Sequence, residues 1–482
     1  MGCTLLMCIV YALVSAQPVR LNPVNPHYFE YKGKPMIIVS SGEHYGSVIN
    51  PAFDYINYLN TMQKGGMNYT RTFTGSMYWE SDGDFSITNN TLAPARGTAL
   101  APWKRSDVAG NANGGNKFDL DQWDEAYFNR FKSFVEEAQK RGIIVEVTLF
   151  TSIYGEKSWS ICPVNPQNNI NNITLSDYRK VHSLDNGNLL KYQDKFVKRI
   201  VTELNKYDNV TYELINEPWA DQAAARHRPN VWQKSSLENW DSRINIPTEA
   251  SMEWQSHIAK LITDTEKALG KTHLIAQNYC NDLYPVEDPL PSVSIINFHY
   301  AWSEAATFNY GWNKAIGFDE SGFAGSDDDT YRQQAWVFLM SGGGLFNNLD
   351  YSFAVGHEDG TLSQKAPGGG SPALRKQLLI LRKFFESFDF IHCSPDRNVV
   401  VLSPGAYSYA ISNRKDLFAV YLAGVAKTLR LQLPAGEYQV QWLNPADGTV
   451  VDTKTIHTQE PFTAIPMPGY STDITVKLTI DN

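Results

Sequence analysis

Two glutamates carry the chemistry that this sequence can do: Glu217 in "YELINEPWAD" and Glu320 in "AIGFDESGF". Each ends a short β-rich run. Tyr212 to Asn216 lead into Glu217, and Pro218 stops the ladder behind it. A carboxylate carried out of a buried strand is costly unless something uses it. If both runs are parallel strands of one closed sheet, both acids arrive at the face formed by the strand C-termini. Two carboxyls there can work on an acetal bond. One protonates the leaving oxygen and the other attacks the anomeric carbon. Retention of configuration needs them about 5 Å apart. Their surroundings must also split their pKa values, leaving one protonated and one ionised.

The elements that must position them recur as strand, loop, helix. Strand runs are Lys34–Ser41, Met67–Phe73, Ile143–Phe150, "VTYELIN", "THLIAQNY", Val293–Tyr300, Lys314–Glu320 and Gly344–Tyr351. Amphipathic stretches such as "WDEAYFNRFKSFVEEAQKRG" separate most of them. Eight apolar runs alternating with helices predict a parallel (β/α)8 barrel, an α/β fold, over residues 17–390. A doubly wound sheet is the alternative, and the missing G-x-G-x-x-G turn after the first strand counts against it. The excess length falls after strands, at 74–120, 151–189 and 219–245, where a barrel builds its working face. Past Phe388 the chain becomes short alternating strands with turn residues between them, which predicts an antiparallel β-sandwich over 391–482.

"INEP" after a fourth strand and a Glu ending the seventh resemble clan A of the retaining glycoside hydrolases. The resemblance implies Glu217 as acid/base and Glu320 as nucleophile, with Asn216 on the sugar 2-hydroxyl. It implies that Arg71, in "NYTRTF", keeps the nucleophile ionised, and that Tyr300 or His299, in "NFHYAW", stands beside it. Alternation along a strand lets only one of that pair point into the mouth. The third strand, "TLFTSIYG", lacks the His of cellulase-type members, and the eighth, "NNLDYSF", lacks their Trp. Glu43 and His44 in "SSGEHYGS" are expected to shape the far end of the pocket. Six tryptophans in strand-end loops, Trp79, Trp103, Trp159, Trp219, Trp302 and Trp312, are candidate sugar platforms, Trp219 and Trp302 foremost. The C-terminal segment is similar to the β-domain, labelled collagen-binding, that follows apiosidase-like barrels.

The net charge of −9 and the absence of any Lys/Arg run argue against nucleic acid as partner. An apolar run from Cys3 to Val14, followed by Val14-Ser15-Ala16, has the character of a signal peptide over residues 1–16 and implies secretion or a periplasmic location. It is too short for a membrane span. Cys8 raises lipoprotein attachment, against which Met7 is a poor preceding residue. Beyond it stand Cys162, Cys280 and Cys393, enough for one disulfide and without zinc spacing. Sequons occur at Asn68, Asn89, Asn172 and Asn209. No H-E-x-x-H, G-x-S-x-G or phosphate loop is present. The expectation is a retaining glycoside hydrolase acting on a poly- or oligosaccharide, with no metal or organic cofactor. Two rivals stand beside it: a non-catalytic glycan-binding barrel, which loss of either Glu would favour, and a transglycosidase that uses the same residues and whose acceptor site excludes water.

Overall fold

The structure is a computed structural model that describes residues 17–77, 79, 81–220, 226–229, 243–459 and 462–480. The signal-peptide-like run over 1–16 lies outside the described residues.

Eight strands form the predicted barrel: β1 Ile38–Gly42, β2 Tyr69–Phe73, β3 Ile144–Thr151, β4 Val210–Asn216, β5 Leu274–Asn281, β6 Ile295–His299, β7 Ala315–Ser321 and β8 Leu345–Leu349. They are parallel neighbours in the order β1-β8-β7-β6-β5-β4-β3-β2. Nearly every strand residue is buried, as expected of strands covered on both faces. Side chains cross the seam between β1 and β2. Asn68 accepts from Val39 N at 3.0 Å and donates to Ile37 O at 2.9 Å, and Ser40 Oγ donates to Tyr69 O. The Asn68 sequon is therefore a closure device. Asn209 is spent likewise on Val135 O and Ile143 O, whereas Asn89 and Asn172 are exposed.

The outer helices are α1 Tyr55–Gly65, α2 Glu125–Lys140, α3 Glu156–Ile161, α4 Leu190–Leu204, α5 Glu249–Lys267, α6 Ser303–Asn309, α7 Asp328–Met340 and α8 Pro372–Glu386. Asp54, Asp124, Thr248, Asp327 and Ser371 cap theirs with side-chain oxygens that accept from first-turn amides. A small sheet of residues 20–21, 29–31 and 34–36 plugs the N-terminal end of the barrel. Its Phe29 and Tyr31 pack on the first residues of the strands, Ile38, Ile144 and Leu345 among them. The long loops on the other end carry two hairpins, Trp103–Ala109 with Asn116–Trp123 and Arg226–Pro229 with Arg243–Ile246.

The C-terminal region is antiparallel, a six-stranded sheet and a three-stranded sheet sharing a core of Phe418, Val420, Leu429, Leu431, Trp442 and Val476. It is joined firmly to the barrel. Trp336 of α7 stacks on Tyr421 with ring centroids 5.1 Å apart. Buried Arg332 forks onto Asp473 at 2.8 and 3.1 Å. The three cysteines are buried and unpaired, so the one disulfide that the count allows is not formed.

Candidate active site

Glu217 and Glu320 meet at the mouth. Each offers a carboxylate oxygen within 4.8 Å of the other and of a ring nitrogen of His299. The chain reaches this arrangement through two turns of left-handed backbone. Glu217 has φ 47° and Tyr300 has φ 50°, a conformation uncommon for non-glycine residues. At Glu217 the turn is pinned by its own amide, which donates to Asn278 Oδ1 of β5 at 2.7 Å.

The same backbone corrects one expectation. His299 and Tyr300 both reach the acids, although neighbours on a regular strand alternate. The ladder between β6 and β7 shifts register at Phe298/His299, and Tyr300 then leaves the strand. His299 Nδ1 stands 3.0 Å from Glu217 Oε1, and Tyr300 Oη donates to Glu320 Oε1 at 2.7 Å.

Arg71 is the hub below. It is buried, and it donates to Glu320 Oε2 at 3.0 Å, to Asn216 Oδ1 at 2.8 Å and to Glu213 Oε2 at 3.0 Å. Its Nε also lies 3.4 Å from Asp319 Oδ2. A side chain that sequence reasoning missed, Tyr154, comes from the loop after β3. It donates to Glu217 Oε2 at 2.6 Å and accepts from Asn216 Nδ2 at 2.8 Å. Its only signal in the sequence was a hydroxyl-bearing ring just past the strand end where the cellulase-type histidine is missing.

These contacts fix the charges. Burial alone would raise the Glu217 carboxyl. The hydrogen bond and charge of His299 outweigh it, with help from Tyr154 and Arg71, and hold the group below its usual range. Burial alone would lower His299. The charges of Glu320 and Asp319, and the hydrogen bond to Glu217, carry it well above its usual value, so it is an imidazolium. Burial and Glu320 hold Tyr300 well above the phenol range, so it stays a neutral donor. The site carries its own cations, and a metal ion among Glu213, His299 and Asp319 would stand against the Arg71 guanidinium.

Above the acids opens a cavity of about 410 Å³, lined by His44, Trp219, Arg243, Asn245, Asn281 and an apolar roof of Phe85, Ile87 and Leu92. His44 is neutral there, since burial and the Arg71 charge lower it to about 3. Arg243 and Asn245 alternate along one hairpin strand and so share its cavity face. Asn281 anchors that strand, accepting from Asn245 N at 2.6 Å and donating to Arg243 O at 2.9 Å.

Two further expectations fail here. Glu43 does not line the cavity: its oxygens accept from Gly46 N, Ser47 N, Ser47 Oγ and Thr91 Oγ1, which makes it the internal brace of the loop after β1. Trp302 also stands outside, with Nε1 donating to Asp282 Oδ1 at 3.3 Å. Of the six tryptophans, Trp219 lines the cavity, and Trp79 and Trp103 are core residues.

The sequence model described as "Cellulase (glycosyl hydrolase family 5)" matches residues 58–315, a span that holds Arg71, Asn216, Glu217 and Tyr300 and ends before Glu320. Among curated proteins none matches the chain in sequence. Solved structures resemble it. One titled "Glycoside hydrolase" superposes with a TM-score of 0.62 at 10% identity, over 96% of this chain and 97% of its own. A family 5 glycoside hydrolase from Bacteroides vulgatus does so with 0.61 at 10%, over 96% and 93%. An endo-1,4-beta-mannanase from Rhizomucor miehei gives 0.50 at 12%, over 77% of this chain and all of its own. At these identities the likeness is one of fold.

Proposed function

The chain belongs to glycosyl hydrolase family 5 and is a glycoside hydrolase, and from that premise we propose that it cleaves a poly- or oligosaccharide with retention, Glu320 attacking and Glu217 serving as acid and then base. The observation that carries this reading is the approach of the two acids to within 4.8 Å. An inverting pair stands about 6.5–9.5 Å apart to admit a water between acid and substrate.

In the first step a Glu320 oxygen bonds to the anomeric carbon as the bond to the leaving oxygen breaks. Arg71 and Tyr300 together hold Glu320 in place. The leaving oxygen takes a proton from Glu217. That proton is at hand although Glu217 is ionised in the free site, because His299 Nδ1 holds one 3.0 Å away. A substrate that fills the cavity expels water, and desolvation favours the neutral pair, imidazole and carboxylic acid, over the ion pair. In the second step Glu217 takes a proton from water, whose oxygen displaces Glu320 from the sugar. Asn216, held by hydrogen bonds to Arg71 and Tyr154, is assigned the 2-hydroxyl in this reading.

The reading includes export, on the apolar run from Cys3 to Val14. The test is a screen of the protein against polysaccharides, β-mannan and β-xylan included, and aryl glycosides. The first-formed product anomer is read by NMR. Product with the substrate's own configuration, and loss of that product in Glu217→Gln and Glu320→Gln, is the expected result. An inverted first product overturns the retaining assignment. A sugar that binds wild type uncut would favour the non-catalytic rival, and product that forms only when an acceptor sugar is added would favour the transglycosidase.

A further inference from the structure

Five carboxyl groups converge beneath and within the mouth: Glu146 from β3, Glu213 from β4, Glu217 just beyond it, and Asp319 and Glu320 from β7. The cations facing them are Arg71 from β2 and His299 from β6, and the neutral phenols of Tyr69, Tyr154 and Tyr300 donate to them. Five ionised acids against two cations would leave an excess of three negative charges in a buried cluster, which desolvation forbids. Protons must therefore stay on some of these groups, and the geometry tells which.

Glu213 Oε2 is saturated. It accepts from Arg71 through two nitrogens and from Thr148 Oγ1 at 2.8 Å. Its other oxygen, Oε1, and both oxygens of Asp319 are buried and meet no donor of hydrogen-bond geometry among the described residues while both groups are carboxylates. Buried acceptors are rarely left so. Yet oxygens of the two side chains lie within 4.8 Å of each other, and Arg71 Nε and His299 Nε2 lie 3.4 and 3.5 Å from Asp319 Oδ2.

We infer that Glu213 and Asp319 share one proton, and that this carboxylic acid–carboxylate pair is the positioning element that keeps Arg71 on the nucleophile Glu320 and His299 charged beside Glu217. The inference rests on the retaining reading above for the roles of the two mouth acids. A proton on Glu213 Oε1 satisfies it and one Asp319 oxygen at once. Asp319 remains the anion of the pair, the counter-ion that His299 needs. Glu213 as a neutral acid still accepts through Oε2, yet no longer competes with Glu320 for the full charge of Arg71. Burial and the Asp319 charge raise Glu213 to about 7 in spite of Arg71, and Asp319 itself is held low, which agrees with the proton's residing on Glu213. With Glu146, raised first by burial and also by the Asp319 charge, neutral as well, three negative charges face two positive ones. The buried cluster then carries one net negative charge, Arg243 of the cavity wall above it not counted, and the positive charge developing on the sugar in the transition state offsets it.

Difference infrared spectra of the whole protein, recorded on either side of about pH 7, test this without turnover, so failure here is separable from failure of the retaining assignment. The expected result is a carboxylic-acid carbonyl band that is present on the acid side, disappears as the pH rises, and is missing from Glu213→Gln. In Asp319→Asn, where the charge that raises Glu213 is gone, the band should disappear at lower pH. A wild-type spectrum identical to that of Glu213→Gln overturns the inference, as does an Asp319→Asn spectrum that titrates like wild type. Activity gives the second readout. Glutamine reproduces the neutral, donating form of Glu213, so Glu213→Gln keeps activity within about tenfold of wild type while Glu213→Ala falls by more than about a hundredfold. Equal losses in two folded variants would mean that Glu213 works as an ion, and would end the proposal.

Discussion

His299 Nδ1 and Glu217 Oε1 face each other at 3.0 Å, with the proton resting on the histidine in the free site. The acid is thus stored as an ion pair. On the proposed retaining reading, a filled cavity returns this proton to the carboxyl that donates it.

The two mouth acids separate by leaving group. Glu217→Gln and Glu320→Gln should each lower the rate on an unactivated glycoside by more than ~10²-fold. On an aryl glycoside whose leaving group needs no proton, Glu217→Gln should still release a burst of the aryl alcohol, and Glu320→Gln should not. Equal behaviour of the two variants in stopped-flow measurements would contradict the division of roles.

The ion pair also sets stability against pH. The folded His299 value lies above its unfolded value of 6.5, so its contribution is complete below pH 6.5 and is lost as the pH rises through the folded value. The folded Glu217 value lies below 4.5, so its contribution is present above pH 4.5 and is lost as the pH falls through the folded value. Thermal unfolding should show Tm falling at both ends, and His299→Gln should lower Tm at neutral pH and flatten the alkaline side. An unchanged alkaline slope would mean that His299 is neutral.

Tyr154 holds Glu217 down. Tyr154→Phe removes the 2.6 Å hydrogen bond, which raises the Glu217 carboxyl and releases Asn216. The alkaline limb of kcat/KM, where the His299–Glu217 pair loses its proton, should move to higher pH, and the rate at the optimum should fall about tenfold. A fall in rate with no movement of that limb would show that the hydroxyl only shapes the pocket.

The C-terminal sheets brace the barrel. Arg332→Ala leaves Asp473 buried without its guanidinium and should cost about 3–5 kcal/mol in denaturant unfolding. A chain ended at 390 should melt at lower temperature, because Trp336 loses Tyr421, while its order of substrate preference stays as it was. Selective loss of binding to a polymer by a still-folded barrel would assign the sheets a ligand instead.

Much of this was legible in the residues because it rests on local pattern. Continuous apolar runs broken by amphipathic helices demand covered parallel strands, and a carboxylate at the end of such a run has few other uses, so the barrel and the pair Glu217 and Glu320 follow from the chain alone. Arg71 follows only from the resemblance to clan A, and the structure adds that it stands in a strand with no exposed face. What the tertiary structure decided depends on contacts between strands far apart in sequence. Alternation forbids His299 and Tyr300 from acting together, and only a register shift against β7 with left-handed backbone after it permits both. Glu43 reads as a site residue until its oxygens are seen taking four hydrogen bonds from its own loop and from Thr91. Tyr154, Glu213 and Asp319 acquire their roles from partners 63, 142 and 20 residues or more away, and the protonation of each depends on how many charges the closed barrel gathers around it. A sequence states which ionisable groups exist, whereas their charge is a property of the burial and neighbours that only folding supplies.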